Sequence, residues 1–251
     1  MKIDKKEQKA EWERPWIKME KNLKEMKGNK IAEILASCPL PTEYGDWTNV
    51  LFGDYTTGVT HDALVFGNWR KGSLGSGRDV LTRIHSSCRS SDIFHATNCE
   101  CAAELREAMA RIKREGKGVI IYLDQEGAGN GLVAKLQAFS KAYAWKNGKI
   151  AEARDKNGVI SMYDAYERLG YEAERRNYAV AGQMLKALGV KSVRLLTNNP
   201  RKIRGIESAG IKVKRESIHI APSNRMQSTI LKAKARRLGH RISKEKWVRK
   251  D

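Results

Sequence analysis

Val119–Leu132 reads V-I-I-Y-L-D-Q-E-G-A-G-N-G-L, and the fold class follows from it. Five apolar or aromatic residues, Val119 to Leu123, have the length and composition of a buried strand. Asp124–Gly131 is a glycine-rich loop, and an apolar helix is expected from Leu132. Upstream, Leu105, Met109 and Ile112 recur at helical spacing and stop at Gly116. Downstream, Arg176–Leu188 reads as a helix closed by Gly189, and Val193–Leu196 as a strand running into T-N-N-P. A helix to Gly210 and a short strand at Ile211–Val213 follow. Such alternation describes α/β layers. Between Gly45 and His85 the texture differs. Trp47–Phe52, Ala63–Phe66 and Val80–Ile84 are short runs separated by Gly, Asp, Asn and Ser, the pattern of antiparallel strands. The expected class is therefore α+β or mixed α/β, an antiparallel β region followed by α/β layers. Residues 1–37 read as a charged, partly helical appendage (Leu23, Met26, Ile31, Ile34, Leu35). Cys38-Pro39-Leu40-Pro41 ends it, because the residue before a proline is pushed out of the α region. Residues 38–242 are then one domain, and 243–251 a basic tail.

The 251 residues carry 48 Lys and Arg against 29 Asp and Glu, a net charge of +19. From Pro200 to Asp251 there are 16 basic and 4 acidic side chains, so the last fifth holds +12. Such a balance suits anionic partners (nucleic acid, phosphorylated small molecules) or is a solvated face that keeps the protein soluble. No apolar run approaches the roughly 20 residues of a membrane span. The opening M-K-I-D-K-K-E-Q lacks the apolar core of a secretory signal. Four cysteines without such a signal fit a reducing cytoplasm and free or metal-bound thiols.

Four clusters hold chemistry-bearing residues. Cys88, Cys99 and Cys101 stand in the frame H-S-S-C-x10-C-E-C. Three thiolates on zinc leave a fourth position open, the layout of a catalytic metal site. His85 is a possible fourth ligand or a substrate contact. The structural alternative is three cysteines buried as small hydrophobes. In the loop 124–131, glycines let backbone N–H groups approach an anion, and Gln125 and Glu126 sit at a strand's C-terminal end, where ligands collect. In L-L-T-N-N-P-R-K, a strand delivers Thr197 to its tip, while Arg201 and Lys202 fall at a helix start, where positive charge is disfavoured unless it faces an anion. E-R-R-N, Glu174–Asn177, is either a surface ion-pair cluster or an acid beside a phosphate-facing guanidinium.

In order along the chain stand L-P-T-x-x-G-D, A-L-V-F-G, R-I-H-S-x-C-x10-C-x-C, Q-E-G-x-x-x-G-L, L-L-T-N-N-P-x-K and K-A-x-x-x-G-H. Together they resemble GTP cyclohydrolase II, the enzyme that opens riboflavin synthesis, from about Leu40 to Ile242, roughly four fifths of the chain. The resemblance implies a zinc ion on Cys88, Cys99 and Cys101, and a zinc-activated water that opens the guanine imidazole ring and releases formate. It implies Mg²⁺ with the triphosphate, pyrophosphate release, Arg176 as nucleophile toward the α-phosphorus and Glu174 as proton acceptor. Arg83, Ile84, His85, Ser86 and Ser87 would line the nucleotide site. Glu126 and Gly127 would contact GTP, and Thr197 and Lys202 the base or phosphates. A homodimer is the family's usual assembly; no membrane partner is expected, nor nucleic acid.

The sequence departs from the family at informative places. Ser87 stands for a Glu before the first cysteine, and Glu104 for a Gln after the last. Ala128 replaces an Arg, Met162 a nucleotide-contacting Thr. Phe139 holds the position of a catalytic Tyr, followed by extra residues around Lys146–Val159; Tyr143 or Tyr163 is a possible source of the missing hydroxyl. The expected activity is that of a GTP cyclohydrolase II. One alternative is a specialised relative that keeps the formyl carbon or opens another nucleotide's ring. The other is a nucleotide- or RNA-binding protein without catalysis.

Overall fold

The computed structural model describes residues 32–242. A seven-stranded sheet forms its centre, with strand order β1-β2-β3-β5-β4-β10-β11. β1 (Ala32–Thr42), β2 (Gly45–Asp54), β3 (Thr60–Phe66) and β5 (Gly118–Leu123) pair antiparallel in sequence. β5, β4 (Val80–Ser86), β10 (Ser192–Leu196) and β11 (Lys212–Glu216) are parallel. The sheet is thus half meander and half crossover-connected.

The antiparallel reading of Val80–Ile84 is corrected. Every residue of β4 is buried, and it runs parallel between β5 and β10. A strand covered on both faces is what a parallel sheet centre requires. Val80 and Ile84 face one layer, Leu81, Arg83 and His85 the other. The appendage is also shorter than expected. Ile34 and Leu35 lie in β1, which continues through Pro39 and Pro41. Prolines persist there because β1 is an edge strand, where a missing N–H breaks no ladder on the open side. Residues 1–31 and the tail 243–251 lie outside the described residues.

Helices cover both faces. α2 (Cys101–Glu115) packs Ala108, Met109 and Ile112 on Trp47, Leu81, Ile120 and Leu196. α5 (Ala179–Ala187) and α6 (Pro200–Glu207) cover the other face, with Met184, Leu185 and Ile206 against Phe52, Ile84, Val119 and Ile121. Each of these large apolar side chains, fully buried, contributes about 1.5–3 kcal/mol. Gly205 is obligatory in that layer: a Cβ would lie 2.5 Å from the Cβ of Tyr178.

A third cluster lies at the sheet's C-terminal end. α3 (Gly131–Ala142) and α4 (Met162–Arg168) join α7 (Arg225–Leu238) through Ala134, Ala138, Met162, Tyr166 and Ile230. The extra residues after α3 form two small hairpins, β6–β7 (Tyr143–Lys146, Lys149–Glu152) and β8–β9 (Arg154–Asp155, Gly158–Val159). The expected helix from Arg176 begins only at Ala179, and E-R-R-N is irregular chain before it. The Asn177 side chain accepts from the Ala179 N–H at 2.9 Å, so a side-chain turn takes the first helical bond.

Candidate active site

Sequence distance between the three cysteines vanishes at the C-terminal end of β4. Cys88 follows that strand and opens α1 (Arg89–Asp92), Cys99 ends the next loop, and Cys101 starts α2. Their sulfurs lie within 4.8 Å of one another, Cys88 and Cys99 at 3.8 Å. Tetrahedral thiolates at about 2.3 Å from zinc stand about 3.8 Å apart, so the trio fits that metal. Its anions are eased at Cys101 by the α2 N-terminus. Hydrogen bonds from Cys101 and Cys99, helped by the Lys135 cation, pull the Cys88 thiol well below its ordinary value. Cys99 and Cys101 move the other way, because they donate to a neighbouring sulfur and bury their own charge.

Two supports hold the trio. The Asp92 carboxylate accepts from the Cys88 N–H at 3.1 Å and the Tyr122 hydroxyl at 2.9 Å, and lies 3.2 Å from His85 Nε2. Burial works against its charge, but His85, Tyr122 and Cys88 outweigh it and keep it below the usual range. His85, stacked on Tyr122, is thereby committed to Asp92 rather than to the sulfurs. From the other side, α7 grips the cysteine loop. Asn224 and Gln227 donate to the Thr97 carbonyl, Gln227 also to the Cys99 carbonyl, and Lys234 pairs with buried Glu100. Burial opposes the Lys234 charge, but Glu100 and Glu104 hold the ammonium above its ordinary value.

Around the trio lies a cavity of ≈ 120 Å³. Of the residues expected at the site, Ser86, Ser87, Glu126, Gly127, Ala128, Phe139, Met162, Tyr163 and Arg176 line it. Lys135 links its parts: Nζ lies 3.2 Å from Cys88 Sγ and 2.8 Å from Glu126 Oε1, and 5.6 Å from the Phe139 ring centroid. Glu126 Oε2 also accepts the Arg89 N–H at 2.7 Å. Tyr143 stands behind Phe139, ring centroids 5.6 Å apart, outside the lining. Ala128 takes a left-handed φ of 57°, costly for a residue with a Cβ.

A second recess shares Ser86, Cys101, Arg176 and Lys234 with the first, and holds Arg83, His85, Glu104, Thr197 and Lys202. Arg83 pairs with Glu104 and donates to the Leu196 carbonyl at 3.0 Å. Burial opposes the Glu104 charge, but Arg83, Lys234 and Lys202 draw its carboxyl down to about 2. Lys202 is buried and donates to the Ile84 carbonyl at 2.9 Å; burial, with Arg83 and Arg176, lowers it well below an ordinary lysine. Ile84 thus enters through its backbone, its side chain being sealed in the core. Arg201 turns away from this recess, donating to the carbonyls of Glu174 and Arg176.

Arg176 is held by Glu174 through Nε at 2.7 Å and through Nη2, and carries the same carboxylate on its N–H. Burial works against the charge of Glu174, yet Arg176 holds its carboxyl below the usual range. The glycine-rich loop lies backbone to backbone with this segment: Arg175 N–H meets the Ala128 carbonyl at 2.9 Å, and Gln125 donates to the Asn177 carbonyl at 2.6 Å. A wider cleft of ≈ 700 Å³ opens beyond, lined by Arg89, Asp124, Arg175, Arg176 and Asn177 among others. Its lining mixes the cations Arg89, Arg175 and Arg176 with the carboxylates Asp124 and Glu126.

Sequence reading missed Lys135, Glu100, Lys234 and Tyr166. Lys234 had a signal, since it opens the K-A-x-x-x-G-H motif; Lys135 and Tyr166 look like ordinary helix positions.

A family model for GTP cyclohydrolase II matches residues 33–218. The riboflavin biosynthesis protein RibBA of Endomicrobium trichonymphae is 38% identical over 215 residues, 85% of this chain and 48% of that protein. RibBA of Phocaeicola vulgatus is 38% identical over 218 residues, 86% of this chain and 49% of its own. The chain spans about half the length of the curated relatives it matches. A solved structure, RibBX, a two domain 3,4-dihydroxy-2-butanone 4-phosphate synthase from A. baumannii, aligns over 80% of this chain and 44% of its own at 15% identity. Its TM-score of 0.37 is too low to carry an argument. The matched span takes in the cysteine frame, the glycine-rich loop and the T-N-N-P turn, and by it the chain belongs to the GTP cyclohydrolase II family.

Proposed function

We propose that the protein is a zinc-dependent hydrolase that opens the imidazole ring of GTP, releasing formate and pyrophosphate and leaving a diamino-ribosylamino-pyrimidinone phosphate. The observation that carries this reading is the convergence of Cys88, Cys99 and Cys101 within 4.8 Å beside Glu126 and Arg176. Zinc bound to the three sulfurs supplies the acidity that makes a water nucleophilic at neutral pH. The surrounding residues then bind and orient. Arg83, the backbone at Ile84, His85, Ser86, Glu104, Thr197 and Lys202 form the recess for the base; Ser87, Glu126, Gly127, Ala128 and Met162 hold the ring against the metal. Arg176 and Glu174 serve the phosphate side. Glu174, whose Oε1 accepts from Arg176 Nε at 2.7 Å, is our proposed acceptor for the guanidinium proton, which must leave before Arg176 can attack phosphorus. Mg²⁺ accompanies the triphosphate in the wider cleft. We further assign the protein to the cytoplasm, as a homodimer; no helix among the described residues is long and apolar enough to cross a membrane.

A second reading is favoured by Phe139, which presents a ring and no hydroxyl, and by Ala128 in place of an arginine. It is a relative that stops at the formamide. Incubation with GTP, Zn²⁺ and Mg²⁺, followed by formate assay and product mass, separates the two. We expect formate, and its loss in Cys99→Ser; a product retaining the formyl carbon supports the second reading, and formate release undiminished in Cys99→Ser refutes the metal assignment.

A further inference from the structure

Two phenol hydroxyls face the cysteine cavity from α4 with no hydrogen-bond partner among the described residues. Met162, Tyr163 and Tyr166 lie on one face of that helix and all line the cavity. Tyr166 is 3% exposed and Tyr163 6%. Neither hydroxyl oxygen is both sealed and unpaired, as the Tyr178 hydroxyl is, so each reaches the cavity space. Here two hydroxyls are kept, aimed into a cavity rather than into protein.

The two are not equivalent. The Tyr166 hydroxyl sits beside Gly127, 3.4 Å from where a Cβ would project, and Gly127 joins Glu126 to the loop. Glu126 is bound to Lys135, which touches Cys88. Tyr166 is therefore on the sulfur side. Burial and the negative charges of Glu126 and Cys88 raise its phenol above the ordinary value, so its O–H proton stays on and is available to donate. Tyr163 lies toward Arg176, Lys234 and Glu174. Its helix is firm: Ser161 and Asp164 form a reciprocal cap, and Arg237 of α7 pairs with Asp164 and Glu167. A donor on so fixed a helix needs no reorganisation to act.

We propose that Tyr166 is a catalytic residue, its hydroxyl donating a hydrogen bond to the oxygen that appears on the ring carbon held against the cysteine trio. The proposal rests on the ring-opening reading. One water adds to the ring carbon, the C–N bond breaks and the carbon remains as a formyl group on nitrogen. A second water then displaces the amine and leaves formate. Addition to the ring sends electrons to the ring nitrogen, but attack of the second water on the formyl carbon builds charge on the oxygen attached to that carbon, and it is this oxygen that Tyr166 would meet.

The test is Tyr166→Phe, with formate release, product mass and thermal unfolding measured beside the wild type. We expect kcat for formate release to fall about tenfold or more, with formyl-bearing product accumulating and KM within about threefold of wild type. The unfolding midpoint should stay level or rise, because the removed hydroxyl has no protein partner to lose. An unchanged kcat overturns the proposal, and so does a midpoint lowered by several degrees, which would mean the hydroxyl serves the fold. A wild-type protein that releases no formate from GTP overturns the ring-opening reading and this proposal with it; an active wild type matched by Tyr166→Phe overturns the proposal alone.

Discussion

Gly129 shows how one missing methyl group sets the distance between two halves of the site. Its φ is +87°, and a Cβ there would stand 2.9 Å from Arg176 N and 3.0 Å from the Arg175 carbonyl carbon. Backbone cannot yield as a flexible side chain can. Gly129→Ala should therefore cost about 1–3 kcal/mol in urea unfolding. It should also slow pyrophosphate release more than it weakens zinc binding, since the displaced segment carries Arg176 and not the sulfurs; an alanine variant with wild-type stability and kinetics would contradict this packing. At this scale the sequence was informative where a residue type has few structural uses. Clustered thiols, and a Glu at a strand end before glycines, point to chemistry wherever they fold. Lys135 and Tyr166 do not: a helical lysine is ordinarily solvated, and a helical tyrosine ordinarily fills a core. Only tertiary placement turns Lys135 inward onto Cys88 and Glu126, and leaves the Tyr166 hydroxyl without a partner.

At the scale of elements, periodicity succeeded where one face is buried and failed where both or neither are. α2 was legible from Leu105, Met109 and Ile112 and from Gly116, which caps it in the left-handed conformation. β5 was legible as a continuous apolar run. β4 was legible as a strand but read in the wrong direction, because direction is set by neighbours distant in sequence, not by its own residues. β1 was concealed by two prolines that an edge strand tolerates. The start of α5 was misplaced by three residues because Arg176–Tyr178 has helix-compatible composition, while Glu174 and the Asn177 side chain hold that backbone in another path. The hairpins after α3 had no readable counterpart in the motifs; Trp145 and Ile150 pair across β6–β7 and are both largely exposed.

At the scale of the molecule, the paired and buried cations among the described residues fall into two groups. Some cations are neutralised in networks, as Arg194 is by Asp79, Glu115 and Glu216. Others, Arg83, Lys135, Lys202, Lys234 and Arg176, converge behind the sulfur trio, where they offset the negative charge of thiolates and carboxylates taken out of water. This arrangement makes the fold sensitive to acid. Burial, reinforced by Lys234 and Lys202, lowers His240 from 6.5 to about 2, and Glu104 lies at about 2 against an ordinary 4.5. Both folded values are depressed, so the unfolded chain binds more protons than the fold between each pair of values, and stability falls as pH falls. The His240 contribution is lost below about pH 6.5 and the Glu104 contribution below about 4.5, both ending near 2, while Glu100, whose carboxyl burial raises, opposes them in part. Urea midpoints measured from pH 7.5 down to 3 should decrease throughout, and His240→Gln should flatten the upper part of the curve; a midpoint that holds level or rises on acidification would contradict this charge arrangement.

The cysteine trio is the point on which the account turns, and metal stoichiometry tests it most directly. Protein purified under reducing conditions, assayed by elemental analysis with parallel alkylation of its thiols, is predicted to carry about one zinc per chain and to shield Cys88, Cys99 and Cys101 while exposed Cys38 reacts. Protein free of zinc after incubation with the ion, with all three thiols alkylated as readily as Cys38, would contradict it.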